Sequence, residues 1–260
     1  MGSANLQADL WGPGARWWAD LQEKQVLPLY RDTLGALAPL AGKKLLDAGC
    51  GAGLALSIAQ RMGAIASGFD ATPELATIAT ERAPNADIRV GDLEAAPFDD
   101  TSFDVVTAFN ALQYAQNPMN ALSQFKRVVK SGGFIAIGQW GEVGRCATEA
   151  LFAKLRALAP PPPGTPAPLA LSGDGVLERR LVDAELQPFS WGEVECPFEY
   201  PDLQTAVRSQ LAAGPIVRVI RAVGEQKVQD VLAAHFGAAV QSDGSVKEMN
   251  IFRWVISKAP

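Results

Sequence analysis

Between Leu45 and Gly53 the chain reads Leu-Leu-Asp-Ala-Gly-Cys-Gly-Ala-Gly, and few folds accommodate such a stretch. Leu45 and Leu46 have the apolar character of a buried parallel strand near its end. Asp47 stands at the strand's carboxyl end, Gly49, Gly51 and Gly53 follow at every second position, and an apolar helix begins near Leu54. A missing Cβ lets the backbone turn tightly or lets a ligand lie against it. In open α/β sheets the ligand crevice lies outside the carboxyl ends of the strands. The stretch predicts a nucleotide-like ligand over this loop. A tight turn with no ligand is the alternative that the loop alone leaves open.

The details narrow the ligand. The dinucleotide fingerprint needs a small residue at its last position, where helix packs on strand. Counting from Gly49 that residue is Leu54, and counting from Gly51 it is Leu56. No Lys follows the glycines, so the phosphate loop of nucleotide hydrolases is absent too.

Along the chain, residues Gly12 to Leu37 read as helical, with Trp17, Trp18, Leu21, Leu27 and Leu34 as a loose apolar stripe and Pro28 as a kink or division. Two adjacent tryptophans cannot both face one core from a helix. A first crossover helix follows from Leu54 to Met62. A second strand over Ala64 to Phe69 ends at Asp70, and Thr72-Pro73-Glu74 opens another helix. Ile88 to Val90 form a third strand closed by Gly91-Asp92-Leu93. Phe103 to Phe109 form a fourth, ending at Asn110. Asn117-Pro118 starts a helix buried through Ala121, Leu122, Phe125, Val128 and Val129; Ser131-Gly132-Gly133 stops it, and Phe134 to Ile137 form the fifth strand. This alternation is the pattern of a doubly wound parallel sheet. Beyond it, Glu142 to Ala159 read as a helix, Pro160 to Pro168 as a stiff surface crossing, and Ser172 to Leu186 as a helix. Phe189 to Glu195 read as a strand, Asp202 to Ala212 and Ile216 to Phe236 as two helices, and Ile251 to Ile256 as the last strand.

Composition excludes several classes. The chain has 260 residues and a net charge of −5, with Lys and Arg scattered, which disfavours a nucleic-acid binder. Its three cysteines, Cys50, Cys146 and Cys196, make neither a disulfide framework nor a zinc or iron–sulfur spacing. With one histidine, no metal site is expected. No run of about 18 apolar residues suggests a membrane span. The N-terminus lacks a signal-peptide layout, and Met1-Gly2 lacks the Ser or Thr that myristoylation needs, because Leu6 stands there. A cytoplasmic setting is expected.

The glycine loop with Asp47, then Asp70, then Gly91-Asp92, then Phe103-Asp104-Val105-Val106, then Ser131-Gly132-Gly133 resembles the class I S-adenosylmethionine-dependent methyltransferases. Among them it is similar to the methyltransferase type 11, ubiquinone-biosynthesis-like family. The resemblance covers Leu45 to Ile137. It departs at Ser131, where Pro is common, a matter of turn rigidity only. It implies a Rossmann-like, seven-stranded, mostly parallel sheet with helices on both faces and a helical cap. One domain would divide into an N-terminal lid (1–40), a cofactor-binding core (41–140), cap insertions with the sixth strand (141–250) and the last strand (251–260). It implies S-adenosylmethionine as cofactor and S-adenosylhomocysteine as product. The implied contacts are Asp47, Ala48, Gly49, Cys50 and Gly51 in the loop, Asp70 at the ribose with Ala71 after it, Asp92 and Leu93 at the adenine, and Asn110 near the methionine moiety; capping of the next helix or turn is the alternative for Asp70 and Asp92, and a plain turn residue for Asn110.

A sulfonium methyl is already activated, so the protein must hold an acceptor in line behind it and exclude water. Tyr114 and Gln113, just after strand four, are the candidates to touch the acceptor; His235 reads as a helix-end residue, and no base is assigned. Trp11, Trp17, Trp18, Tyr30 and Tyr114 are the expected pocket walls, apolar enough for a small, apolar acceptor. Two other classes share these motifs: a protein that binds the ligand without turnover, and an enzyme that cyclises it. The acceptor's identity, the atom methylated and the oligomeric state stay open.

Overall fold

The computed structural model describes residues 2–260, and the Met1 of the myristoylation test lies outside them. The chain opens with helix α1 (Ala4–Trp11), a short turn α2 (Ala15–Trp17), a π-helical turn over Trp18–Gln22 and helix α3 (Leu27–Ala36). Helicity starts eight residues before the expected Gly12. The stripe misses α1 because its support is tertiary: Arg221, far along the chain, pairs with Asp9 and donates to its carbonyl. Pro28 divides the region rather than kinking it, since it sits in the first turn of α3, where its missing N–H costs nothing.

The alternating part follows as β1 (Lys44–Ala48), α4 (Leu54–Arg61), β2 (Ile65–Asp70), α5 (Pro73–Arg82), β3 (Asp87–Val90), β4 (Phe103–Phe109), α6 (Pro118–Val128) and β5 (Val129–Trp140). The Asn117 side chain accepts from the Met119 N–H and starts α6 as its sequence suggests. Ser131-Gly132-Gly133 is not a helix stop. The helix ends at Val128 and these residues already lie in β5, whose ladder with β4 begins at Val129 opposite Phe103.

The remainder comprises α7 (Thr148–Leu158), α8 (Val176–Asp183), β6 (Gln187–Glu195), β7 (Phe198–Tyr200), α9 (Leu203–Leu211), α10 (Gly214–Val223), α11 (Glu225–Gly237), β8 (Val246–Glu248) and β9 (Ile251–Lys258). Two expectations are corrected here, and one element was not expected at all. The helix expected from Glu142 begins at Thr148, because Cys146 first bridges to Asn250. The single helix expected over Ile216 to Phe236 is two, broken at Gly224, whose φ of 89° does not continue a helix. The small β7–β8 ribbon has segments too short to signal themselves.

The sheet has seven strands in the order β3-β2-β1-β4-β5-β9-β6. Strands β3, β2, β1, β4 and β5 run parallel, and β9 is antiparallel to both β5 and β6. Alternate residues feed two cores: Leu45, Val105 and Ala136 lie in one, Leu46, Val106 and Ile135 in the other. Chain order reverses at β1, between β2 and β4, and such switch points place crevices at the strands' carboxyl ends.

Candidate active site

A cavity opens at that switch point, ≈1170 Å³ including its solvent-filled mouth. Its floor is the glycine loop with Asp47, Asp70, Leu93 and Asn110. Its roof is Trp11, Trp18, Glu23 and Tyr30 from the N-terminal segment, and its far wall is Trp140, Phe152 and Phe198.

The glycines serve different ends. At Gly49, with φ of +73°, a Cβ would fall 2.5 Å from the Ala111 Cβ, and at Gly53 one would fall 2.9 Å from the Ala79 Cβ. Both are required by packing. Gly51 also has positive φ, +53°, but a Cβ there would meet only Glu23 Oε1 at 3.6 Å and Trp18 Nε1 at 3.9 Å. It would project into the space between loop and roof.

Asp70 ties the loop to the strand ends. Its Oδ2 accepts from the Gly51 N–H and its Oδ1 from the Thr72 N–H, each at 2.9 Å. Burial pushes its pKa up against these bonds. Asp47 accepts from the Thr107 hydroxyl at 2.7 Å, and burial, helped by Glu23 and Asp70, pushes it up to about 7. Cys50 is a buried filler whose thiol is pushed well above its usual value by burial and by the three carboxylates, the opposite of nucleophile activation. Asn110 ends β4 with φ of +49°, a conformation that Asn tolerates better than most residues. Its Oδ1 is buried with no hydrogen-bond partner among the described residues.

The roof is pinned by residues the sequence did not single out. Glu23 is 2% exposed and pairs with Arg82 on α5. It also accepts from the Leu54 N–H at 3.4 Å, and burial pushes its pKa up to about 7. Arg82 donates further to the carbonyls of Ala19, at 2.8 Å, and Ala52, at 3.3 Å, so one guanidinium binds roof and loop together. Tyr30 is 6% exposed, lies edge-on to Phe109 and lines the cavity. In the sequence Glu23 sits in the polar run Gln22-Glu23-Lys24-Gln25, which gives no sign of its burial, because burial is not a sequence property.

The structure brings Asp47, Gly49, Cys50, Gly51, Asp70, Ala71, Leu93, Asn110, Trp11, Trp18, Tyr30 and Tyr114 to the cavity. It leaves four candidates outside. Trp17 points away, 48% exposed beneath the Arg208 guanidinium, because adjacent helical residues diverge by about 100°. Asp92 accepts from the Glu94 N–H in its own turn, and Gly2 lies against it: a Cβ on Gly2 would fall 2.1 Å from Asp92 Oδ2. Gln113 is buried off the cavity, its amide without partners among the described residues, and Ala48 is buried behind the loop. His235 pairs with Glu248 at 2.7 Å in the last turn of α11, away from the cavity.

Against known proteins, residues 46–137 match the family described as "Methyltransferase domain". The match spans the strands and loop that build the cavity floor. Over these residues, about a third of the chain, it is similar to a methyltransferase domain. That family uses S-adenosylmethionine. Among curated relatives, the ubiquinone biosynthesis O-methyltransferase of Paracidovorax citrulli is 32% identical over 131 residues, 46% of this chain and 55% of that one. The demethylmenaquinone methyltransferase of Chlorobaculum tepidum is 40% identical over 91 residues, 35% of this chain and 38% of that one. The chain thus spans about half, or less, of the length of these relatives. Among solved structures, geranyl diphosphate C-methyltransferase from Streptomyces coelicolor A3(2) superposes with a TM-score of 0.52 at 14% identity, covering 89% of this chain and 78% of that one. The [4+2]-cyclase SpnF superposes at 0.56 with 19% identity, covering 89% and 80%. At such identities the likeness is one of fold, and the cyclase shows that this fold alone does not select a reaction. Among the described residues no His/Cys/Asp/Glu group is arranged to hold a metal, and no helix is long and apolar enough to cross a membrane.

Proposed function

We propose that the protein transfers the methyl group of S-adenosylmethionine to a small, largely apolar acceptor. The observation that carries this reading is the division of one cavity into a polar floor and an aromatic far wall. The floor suits the cofactor: Gly51 leaves the loop open to it, the Asn110 Oδ1 lacks a partner, and carboxylates face a ligand bearing hydroxyl and cationic groups. Bound there, the sulfonium would supply an activated methyl group.

The residues then have these tasks. Asp70 keeps lone pairs free beyond its two backbone bonds and would accept from the ribose hydroxyls. Leu93 would lie against the adenine. Trp140, Phe152 and Phe198 would hold the acceptor by burial of apolar surface, and the roof would keep water from the reacting atoms. We assign residues 1–40 the role of lid over a core of residues 41–140. A net charge of −5 and an acidic cavity floor favour a small molecule over a nucleic acid. Three free, buried cysteines suit a reducing cytoplasm.

The test is incubation with methyl-labelled cofactor and analysis of the cofactor product. S-adenosylhomocysteine is expected; methylthioadenosine would mean attack on the ligand's own chain, and binding without either would mean a non-catalytic protein. Asp70→Ala should weaken cofactor binding by about 1.5–3 kcal/mol, the range for hydrogen bonds to a charged group. It should also lower stability, since Gly51 and Thr72 lose their acceptor. Calorimetry showing unchanged affinity removes Asp70 from the site.

A further inference from the structure

Resting on the cofactor reading above, we propose that Glu23 belongs to the cofactor site and biases it toward the sulfonium cation and against the neutral thioether left after transfer. Three carboxylates, Glu23, Asp47 and Asp70, line the same cavity from three parts of the chain. Glu23 and Asp47 are each 2% exposed, so water screens them little. Among the described residues Arg82 is the one cation paired with them. It approaches Glu23 from the side of Ala19 and Ala52 and does not line the cavity. Above about pH 7, where Glu23 and Asp47 have given up their protons, the space between loop and roof is therefore bounded by more negative than positive charge.

A second observation points to a ligand there. Tyr30 lines the cavity and is 94% buried, by its 6% exposure, yet its hydroxyl makes no hydrogen bond among the described residues. Glu23 and Asp47 are the charges that most perturb it. A cavity-lining hydroxyl without a hydrogen-bond partner leaves a polar group for a ligand to meet.

The ligand's charge decides what this field does. S-adenosylmethionine carries an ammonium, a carboxylate and a sulfonium. When the S–CH3 bond breaks, its electron pair stays on sulfur and the positive charge there is lost. Attraction from Glu23 is thus greater before transfer than after it, and the same carboxylate that helps draw the cofactor in weakens the hold on the product. Because Glu23 belongs to the roof, this discrimination exists only while the roof is closed.

The experiment is calorimetry at pH 8, where Glu23 is ionised, of S-adenosylmethionine, S-adenosylhomocysteine and the amine analogue sinefungin against the wild type and Glu23→Gln. The Gln side chain keeps an acceptor for the Leu54 N–H and removes the charge. The two cationic ligands should weaken about tenfold while S-adenosylhomocysteine changes less than about twofold, a difference of roughly 1.4 kcal/mol or less. A purely structural Glu23 would weaken all three equally; that result, or no change in any, overturns the proposal. If Glu23→Gln does not fold, Glu23→Asp, which draws the charge back by one methylene, must still lower the preference for the cationic ligands, and an unchanged preference overturns it. Retained thioether binding in the wild type keeps the cofactor reading standing when the proposal fails, whereas a wild type that binds none of the three ligands defeats both.

Discussion

The floor and the roof of the cavity are built in opposite ways. The floor comes largely from consecutive residues: Asp47 to Gly51 belong to one strand-to-helix turn, and Asp70 to Thr72 to the next. Its bonds are short-range across neighbouring parallel strands, as with Asp70 and the Gly51 N–H. The roof and far wall come from segments far apart in sequence, with Trp18, Tyr30, Trp140, Phe152 and Phe198 meeting only in three dimensions. They are held by isolated ties such as Glu23–Arg82 and the buried cluster in which Tyr200 and Gln210 both donate to Gln22. A fold that keeps a local, repeated cofactor floor and a dispersed roof can change its acceptor without rebuilding its sheet.

The largest effect that would break this contrast is at Gly51. Gly51→Val should abolish cofactor binding while the protein still folds, at a stability cost of about 1–3 kcal/mol for a β-branched residue at positive φ. Normal binding by this variant would mean that the loop is only a turn.

Arg82→Met should come next. It leaves the buried Glu23 without its partner, and such losses cost about 3–5 kcal/mol. Part of that cost is relieved if Glu23 takes up a proton, so the deficit should shrink at acid pH. Urea unfolding at pH 6 and pH 8 measures both. Equal small losses at both values would show that the tie between roof and floor is weak.

A smaller effect concerns pH. Glu23 and Asp47 have folded pKa values of about 7, above the ordinary carboxylate range, because of burial. The folded protein therefore holds protons that the unfolded chain has released by about pH 5. The stability linked to these neutral acids is complete below the unfolded pKa and is lost as pH rises through about 7. The ligand-free protein should melt at a lower temperature at pH 8 than at pH 6. Asp47→Asn, which keeps an acceptor for Thr107, should flatten that dependence. A melting temperature that rises over this interval in the wild type contradicts the buried-acid account.

The smallest effect separates the adjacent tryptophans. Trp17→Ala, at an exposed position, should change stability and cofactor affinity by no more than about 0.5 kcal/mol. Trp18→Ala removes a ring that packs at 4.8 Å on Trp11 and borders the loop, and should weaken ligand binding measurably. Equal effects of the two would show that the cavity is not where the roof closes.

The sequence by itself determined the sheet and the position of the floor. Periodicity, glycine spacing and strand-end carboxylates are local, and in a parallel α/β unit each strand end is followed at once by the turn that contacts the ligand. That is why Asp70, Gly51 and Asn110 could be placed from their neighbours in the chain. Tertiary structure alone decided two other things. Helix α1 depends on Arg221, and the charge of the cavity on burying Glu23 beside Arg82. Each joins residues separated by tens to hundreds of positions, and burial, which sets both the energy of an ion pair and the pKa of an acid, is a property of those distant neighbours rather than of the residue itself.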